Sequence, residues 1–339
     1  MTGSSSLENY REMSDLNLAL LTSLPHKDAN HRIWFDALSR SDDMRLPVIH
    51  PDDLESFMHG ALDKRHVIIY LCMYKDYRAL SKAIAIRKSG QPLILGCIAS
   101  DIYSLDHYSM SIAVASFFVA PTLEHKAILE SITIRPVIHL EEPIDPISKY
   151  VSSPVIKSPR YFDGYLYWFG YPESFSKSMH YLMPVINRLV KQNYIAGICI
   201  ISSQEFKRTP PHRFIHYSEA TLVRMLTRAK YVICSHFSFD MHINSIIKTD
   251  NKAALALSMG AIPICSSTPS YKRLLCRAGL SELLYKGPAC LESIAKNLDR
   301  SLTYDYELVD KLLSLRSPGM TIKKLSRKIS QMQYRILSF

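Results

Sequence analysis

The sequence lacks the features that would place it across a membrane or in an oxidising compartment. None of its apolar runs reaches the roughly 20 residues that a membrane-spanning helix needs. The seven cysteines form no C-x-x-C pair, and most lie in apolar runs such as YLCMY and GICII. We therefore expect buried thiols rather than disulfides or zinc ligands. The N-terminal residues have no apolar core, so we expect no signal peptide and a cytoplasmic location.

Motifs for binding metals and nucleic acids are also missing. No D-x-D motif stands in the context of a metal site, and His236 and His242 are spaced too far apart for one helical turn. We expect no metal ion. Despite the net charge of +10, there is no helix-turn-helix, zinc module or aromatic strand motif, so we expect no nucleic acid partner. A phosphate-rich substrate and an anionic membrane surface remain as partners that fit this charge.

The length and the apolar pattern predict two α/β domains. A chain of 339 residues suits two domains of roughly 150 residues each. Short runs that are apolar on both faces, such as HVIIYLC and PLILGCI, alternate with helical segments, which indicates a parallel sheet covered by helices. The proline-bearing stretch 141–163 interrupts this alternation, which resumes at YLYWFG. We predict two Rossmann-like, doubly wound domains facing a cleft, the default place for a ligand.

The predicted boundaries leave a basic helix at the C-terminus. Ile322, Leu325 and Ile329 recur at three and four residues between lysines and arginines, which is typical of an amphipathic helix. Its apolar face either packs on the protein or binds an anionic lipid surface at the inner face of the membrane. The predicted parts are an N-terminal acceptor-side domain at 1–145, a linker at 146–163, a C-terminal domain at 164–310, and a helix at 311–339 that packs towards the N-terminal domain.

The stretch IKTDNKAALALSMGAIPICS, residues 247–266, carries the most specific pattern. The residues from Thr249 to Asn251 are candidate helix caps, the alanines after them favour a helix, and Gly260 is a natural end. The start of this helix should lie at the carboxyl end of the preceding strand. Its N–H groups, with Lys248 and Lys252 beside them, suit a diphosphate. An ordinary capped helix with its lysines in water is the alternative interpretation.

This stretch, together with YLYWFGYPESF and IHYSEATLVRMLTRAKYVICS, resembles the C-terminal domain of GT-B glycosyltransferases of the family 4-like group (glycosyltransferase group 1). The resemblance covers about residues 65–285 and implies the GT-B fold. It implies transfer, with retention, from a UDP- or GDP-sugar to a glycan or lipid-linked acceptor, without a metal or prosthetic group. The family places glutamates where this sequence has Leu255 and, nearby, Ile247, so no ribose-binding carboxylate is identified. A non-catalytic nucleotide- or carbohydrate-binding protein is the alternative.

The resemblance and the positions of strand ends together give the candidate site residues. Gly170, at the end of a strand, either lets the donor approach the backbone or is a simple turn glycine. Tyr271 lines the donor site unless it is a core or surface residue. Asp101 and His107 follow the strand PLILGCI and would supply a base for the acceptor hydroxyl if the reaction inverts the configuration, whereas a retaining enzyme needs no such base. A polar loop with a capping aspartate is the alternative interpretation. Arg32 is a further candidate for a phosphate contact. The donor phosphates are assigned to Lys248, which is also a candidate catalytic residue, and to Thr249, Asn251 and Lys252.

Overall fold

The structure is a computed structural model that describes most of the chain. The described segments are residues 16–23, 31–40, 45–60, 65–71, 77–88, 93–100, 105–144, 161–204, 211–236, 243–298 and 302–336. Side chains are described throughout these segments except at residues 77, 87, 105–107 and 333–336. The predicted linker at 146–163 lies largely outside the described segments.

The chain divides into two compact units. The first unit is Met1–Pro143 with Arg316–Phe339, and the second unit is Ile144–Leu315. Each unit contains one parallel sheet of six strands covered by helices. The predicted α/β architecture of two doubly wound, Rossmann-like units is therefore confirmed.

The sheet of the first unit has the strand order β2-β1-β3-β4-β5-β6, and every neighbouring pair is parallel. Its strands are β1 Leu16–Leu21, β2 Val48–Ile49, β3 Arg65–Leu71, β4 Leu93–Ile98, β5 Phe117–Ala120 and β6 Val137–His139. Its helices are a π-helix His31–Asp36 continued by α1 Ala37–Ser39, a 3-10 turn Pro51–Asp53 continued by α2 Leu54–His59, α3 Tyr77–Lys88, α4 Leu105–Val114 and α5 Leu123–Ile132.

The sheet of the second unit has the order β12-β11-β10-β7-β8-β9 and is also parallel throughout. Its strands are β7 Tyr165–Phe169, β8 Gly197–Ser202, β9 Arg213–His216, β10 Tyr231–Cys234, β11 Ile262–Ser266 and β12 Leu284–Tyr285. Its helices are α6 Pro172–Ser178, α7 Met183–Lys191, α8 Glu219–Leu226, α9 Ile243–Ile247, α10 Asn251–Ser258, α11 Pro269–Arg277, a 3-10 turn Ser281–Leu283, α12 Pro288–Lys296 and α13 Tyr306–Ser314.

Local chemistry explains where several of these helices begin. The hydroxyl of Thr122 accepts a hydrogen bond of 3.1 Å from the His125 N–H at the start of α5, and Ser218 caps α8 in the same way. Each satisfies one of the N–H groups that have no partner within the helix. Pro184 lies in the first turn of α7, where its missing N–H costs nothing. Helix α7 is thus separate from α6, which ends at Ser178.

Three edge strands were not predicted from the sequence. β2 and β12 have two residues each, and all four residues of β9 are at least partly exposed. An edge strand has one neighbour and little buried surface, so it does not need the continuous apolar run by which the central strands were found.

The C-terminal helix α14, Pro318–Ile336, packs against the sheet of the first unit. Ile322, Leu325 and Ile329 are fully buried in a core cluster that also contains residues of β1, β3 and β4. Lys323 and Arg327 are exposed on the other face. The apolar face of this helix is thus covered by protein. Within the described residues, no helix is both long enough and apolar enough to cross a bilayer.

The packing of α14 gives a prediction about stability. Leu325→Ala should lower the free energy of unfolding of the first unit by about 2 to 5 kcal/mol, because it leaves a cavity beneath a fully buried side chain. Lys323→Ala, on the exposed face of the same helix, should change it by less than about 0.5 kcal/mol. Denaturant unfolding measures both variants. Equal effects would show that the apolar face of α14 is not a core element.

Candidate functional site

The order in which strands are added to the second sheet reverses at β7. The chain passes from β7 to β8 and β9 on one side and later crosses to β10, β11 and β12 on the other. In open parallel sheets, ligands bind beyond the carboxyl ends of the strands at such a switch point. Gly170 directly follows β7, and Ser235 and His236 directly follow β10. These residues therefore mark the expected position of a ligand.

Helix α10 begins at this edge of the sheet, after β10 and the short α9. Its N-cap residue Asp250 makes no side-chain capping hydrogen bond. Ala253, Ala254 and Ala256 are fully buried, so the helix packs closely on its neighbours. Gly260, with φ +80°, follows its end, as the sequence predicts. The start of α10 is thus held by packing along the helix and not by a carboxylate cap.

Lys252 places the first turn of α10 over the end of β7. Its ammonium lies 5.0 Å from the ring centroid of Trp168 and 5.7 Å from that of Phe169, distances typical of cation–π contacts. A Cβ on Gly170 would lie 2.8 Å from the Lys252 Nζ and 2.9 Å from Cη2 of Trp168. A side chain at position 170 would therefore have to displace the ammonium or the Trp168 ring, and the φ of +155° of Gly170 also favours glycine.

The surroundings of Lys252 lower its pKa and so favour the neutral amine over the ammonium. Burial lowers the pKa of Lys252 to about 8; nearby Cys234 acts in the opposite direction, and the positive charge of Lys248 lowers the pKa further. Desolvation of an ammonium favours the neutral form, and a like charge does the same. Two basic side chains thus meet at the start of a helix, an arrangement that favours an anion.

The other predicted donor-site residues lie at the same place in the chain. Lys248 and Thr249 are half-buried in the turn between α9 and α10, and Asn251 is the first residue of α10 and is buried. The hydroxyl of Ser270, on α11, donates a hydrogen bond to the Lys248 carbonyl oxygen. This bond ties the turn to the start of the next helix and fixes the backbone from which Lys248 extends.

Tyr271 is a core residue as well as a neighbour of the site. It is fully buried, and its ring stacks on His236 with centroids 5.1 Å apart. Its hydroxyl has no hydrogen-bond partner within the described segments. The sequence interpretation of HFSFDMH is a loop that lines the cleft rather than a metal site, and it gives His236 no binding role. Its position immediately after Ser235, at the carboxyl end of a buried strand, was the signal that could have identified it.

The acceptor-side candidates are less fully described. Asp101 lies outside the described residues, and His107 is on α4 but its side chain is not described. Arg32 is half-buried within the π-helix of the first unit. In the described part of the chain, no group of three or more histidines, cysteines, aspartates or glutamates is arranged to hold a metal ion.

Comparison with known proteins identifies the fold. No protein-family profile matches the sequence, and no curated protein sequence matches it. The structure is similar to that of a lipopolysaccharide outer core galactosyltransferase, WaaB, in its apo form, with a TM-score of 0.54 and 11% identity over 94% of this chain and 99% of the other. It is also similar to a protein described as a UDP-N-acetylglucosamine 2-epimerase from Listeria monocytogenes, with a TM-score of 0.50 and 11% identity over 94% and 96% of the two chains. The chain has the GT-B fold. The fold that the sequence resemblance implied is confirmed, while the family 4-like assignment stays a prediction.

The contact between Gly170 and Lys252 gives a second prediction. Gly170→Ala should lower the free energy of unfolding by about 1 to 3 kcal/mol, because the added methyl group must displace the ammonium or the Trp168 ring. Gly60→Ala is the control, since a Cβ there meets only backbone oxygens at 3.5 Å and 3.7 Å and the φ of −71° suits alanine, and it should be nearly neutral. Denaturant unfolding of both variants measures the difference. An equal effect at the two positions would contradict the close approach.

Proposed function

We propose that this chain is a glycosyltransferase that moves a sugar from a nucleotide-sugar donor to a glycan or lipid-linked acceptor. The observation that carries the proposal is the position of Lys252 and the start of α10 at the switch point of the second sheet, against Gly170. The donor diphosphate would be held by Lys248, Lys252 and the first turn of α10, with Thr249 and Asn251 supporting that turn.

The chemistry of glycosyl transfer fits this arrangement. Breaking the bond between the sugar and the diphosphate builds negative charge on the leaving phosphate oxygen. Fixed cations and N–H groups at that point stabilise the transition state more than the ground state. Lys252 is held by two aromatic rings and Lys248 extends from a fixed turn, so little reorganisation is needed during the reaction.

The finer parts of the proposal come from the sequence resemblance. The donor is a UDP- or GDP-sugar, the reaction retains the configuration of the sugar, and the leaving group is stabilised without a metal ion. The first unit holds the acceptor, with Asp101 and His107 as candidate residues there. The names of the two proteins of the same fold both refer to sugar chemistry, and one of them names a UDP-sugar.

One observation favours a second candidate, a protein that binds nucleotides or carbohydrates without catalysis. Leu255 and Ile247, where the resemblance places carboxylates, are both buried apolar side chains. The donor ribose would therefore need another partner. A protein that binds a nucleoside diphosphate but neither transfers nor hydrolyses nor epimerises any sugar donor would fit this second candidate.

Removal of the Lys248 ammonium tests the proposed function. Lys248→Ala should lower transfer activity by roughly 100-fold to 1000-fold, the usual effect of losing one group that stabilises transition-state charge. It should also weaken binding of the nucleoside diphosphate while leaving the protein folded. The measurement is steady-state transfer from the preferred donor, with the base first identified by a thermal-shift screen of UDP, GDP, CMP and dTDP compounds.

Lys272→Ala is the matched control, because Lys272 is exposed on the neighbouring helix α11. This variant should keep the activity of the natural protein. Unchanged kinetics in Lys248→Ala, or an equal loss in both variants, would remove the support for a diphosphate site at the start of α10.

The lowered pKa of Lys252 predicts how ligand binding depends on pH. Because the folded-state pKa is about 8, Lys252 is mainly protonated at pH 7 and mainly neutral at pH 9, so the affinity for UDP or GDP should fall as the pH rises through this window. Lys252→Arg should flatten the profile, since a guanidinium stays charged. Isothermal titration calorimetry from pH 7 to 9.5 measures this.

The exposed Lys272 again provides the control for this experiment, as Lys272→Arg. That variant should reproduce the pH profile of the natural protein. A profile that falls with pH equally in Lys252→Arg would show that another group causes the dependence.

A further inference from the structure

The backbone of His236 is held on both sides at the carboxyl end of β10. Its N–H donates a 3.1 Å hydrogen bond to the hydroxyl of Ser266, the last residue of β11. Its carbonyl oxygen accepts a 3.1 Å hydrogen bond from the hydroxyl of Tyr181. Two neighbouring elements thus fix the position from which the imidazole extends.

The ring of His236 is also fixed in orientation. It lies nearly parallel to the Tyr271 ring, with an angle of 11° between the planes and centroids 5.1 Å apart. Tyr271 is fully buried on α11 and cannot move without disturbing the core. The imidazole therefore has a defined plane in the absence of any ligand, which is the preorganisation that a binding residue needs.

One polar atom of this ring is left unsatisfied. The Nε2 of His236 is buried and has no hydrogen-bond partner among the residues that the structure describes. Leaving a buried polar group without a partner costs roughly 1 to 3 kcal/mol, so such groups are rare and call for a partner from outside the chain. The two backbone hydrogen bonds and the stacking on Tyr271 hold His236 in place, but they give Nε2 no role.

The charged neighbours of His236 indicate what kind of partner fits. Burial first, and then the positive charges of Lys248 and Lys252, hold the pKa of His236 well below its usual range. The imidazole is therefore neutral at pH 7, and its protonated nitrogen can donate one hydrogen bond. A hydrogen-bond donor beside two ammonium groups matches an anion with several acceptor oxygens.

We propose that His236 contacts the sugar donor, with its Nε2–H donating a hydrogen bond to an oxygen of the diphosphate held by Lys248 and Lys252. This inference rests on the proposed function, because it requires a diphosphate at the start of α10. It adds a third group to the site, from the end of β10, and gives the buried nitrogen a partner when the ligand is bound.

Two variants test this role: one removes the nitrogen and keeps an aromatic ring, and the other removes the ring and keeps an N–H donor. His236→Phe keeps a stacked ring against Tyr271 but removes the nitrogen, and it should weaken UDP or GDP binding by about 10-fold to 100-fold, the range for a lost hydrogen bond to a charged group. His236→Gln removes the ring but keeps an N–H donor, and it should retain most of the affinity. Calorimetry with UDP and GDP at pH 7 measures both.

The opposite pattern would overturn the inference. If His236→Phe binds as tightly as the natural protein, Nε2 makes no contact with the ligand, whether or not His236→Gln is impaired. That result leaves the proposed function in place, because the natural protein would still bind the nucleotide. If the natural protein binds neither UDP nor GDP, both proposals fail together. Should one variant not fold, the affinity of the other still decides, since the contact predicts a loss for Phe and retention for Gln.

Discussion

The second unit is organised around the close approach of the Lys252 ammonium to the end of β7. A Cβ on Gly170 would lie 2.8 Å from Nζ, so any other residue there must displace the ammonium or the Trp168 ring. The Trp168 and Phe169 rings lie within cation–π distance of the same ammonium. This packing brings the start of α10 to the switch point of the sheet and aligns a helix terminus, a lysine and the end of a strand.

The cluster at this point is unfavourable for the stability of the protein alone. Burial opposes the charge of Lys252, and Lys248 repels it. The neighbouring imidazole of His236 has a buried nitrogen that no described residue contacts by a hydrogen bond. Binding sites typically gather ionisable groups with shifted pKa values and polar atoms without hydrogen bonds. Such features are unfavourable for stability and are retained because they serve function. A bound diphosphate would relieve the repulsion and satisfy the nitrogen, so one ligand would account for both features.

The order of the central elements was predictable from the sequence because their stability is local in origin. β3, β4, β8 and β10 are buried on both faces and therefore read as short continuous apolar runs. The caps at Thr122 and Ser218 are local as well, since each hydroxyl bonds to an N–H three residues ahead. The edge strands β2, β9 and β12 carry no such signal, because an edge strand is defined by the neighbour with which it pairs.

For the site, the sequence by itself determined which polar residues surround the start of α10 and that Gly260 would follow the end of that helix. It also placed Gly170 and Tyr271 after strands, because the period of the apolar pattern reveals where strands end. Only the tertiary structure decided that Lys252 meets Gly170, 82 positions earlier in the chain, and that His236 stacks on a buried Tyr271. These contacts depend on strand order and on helix packing, and neither is encoded in the spacing of nearby residues.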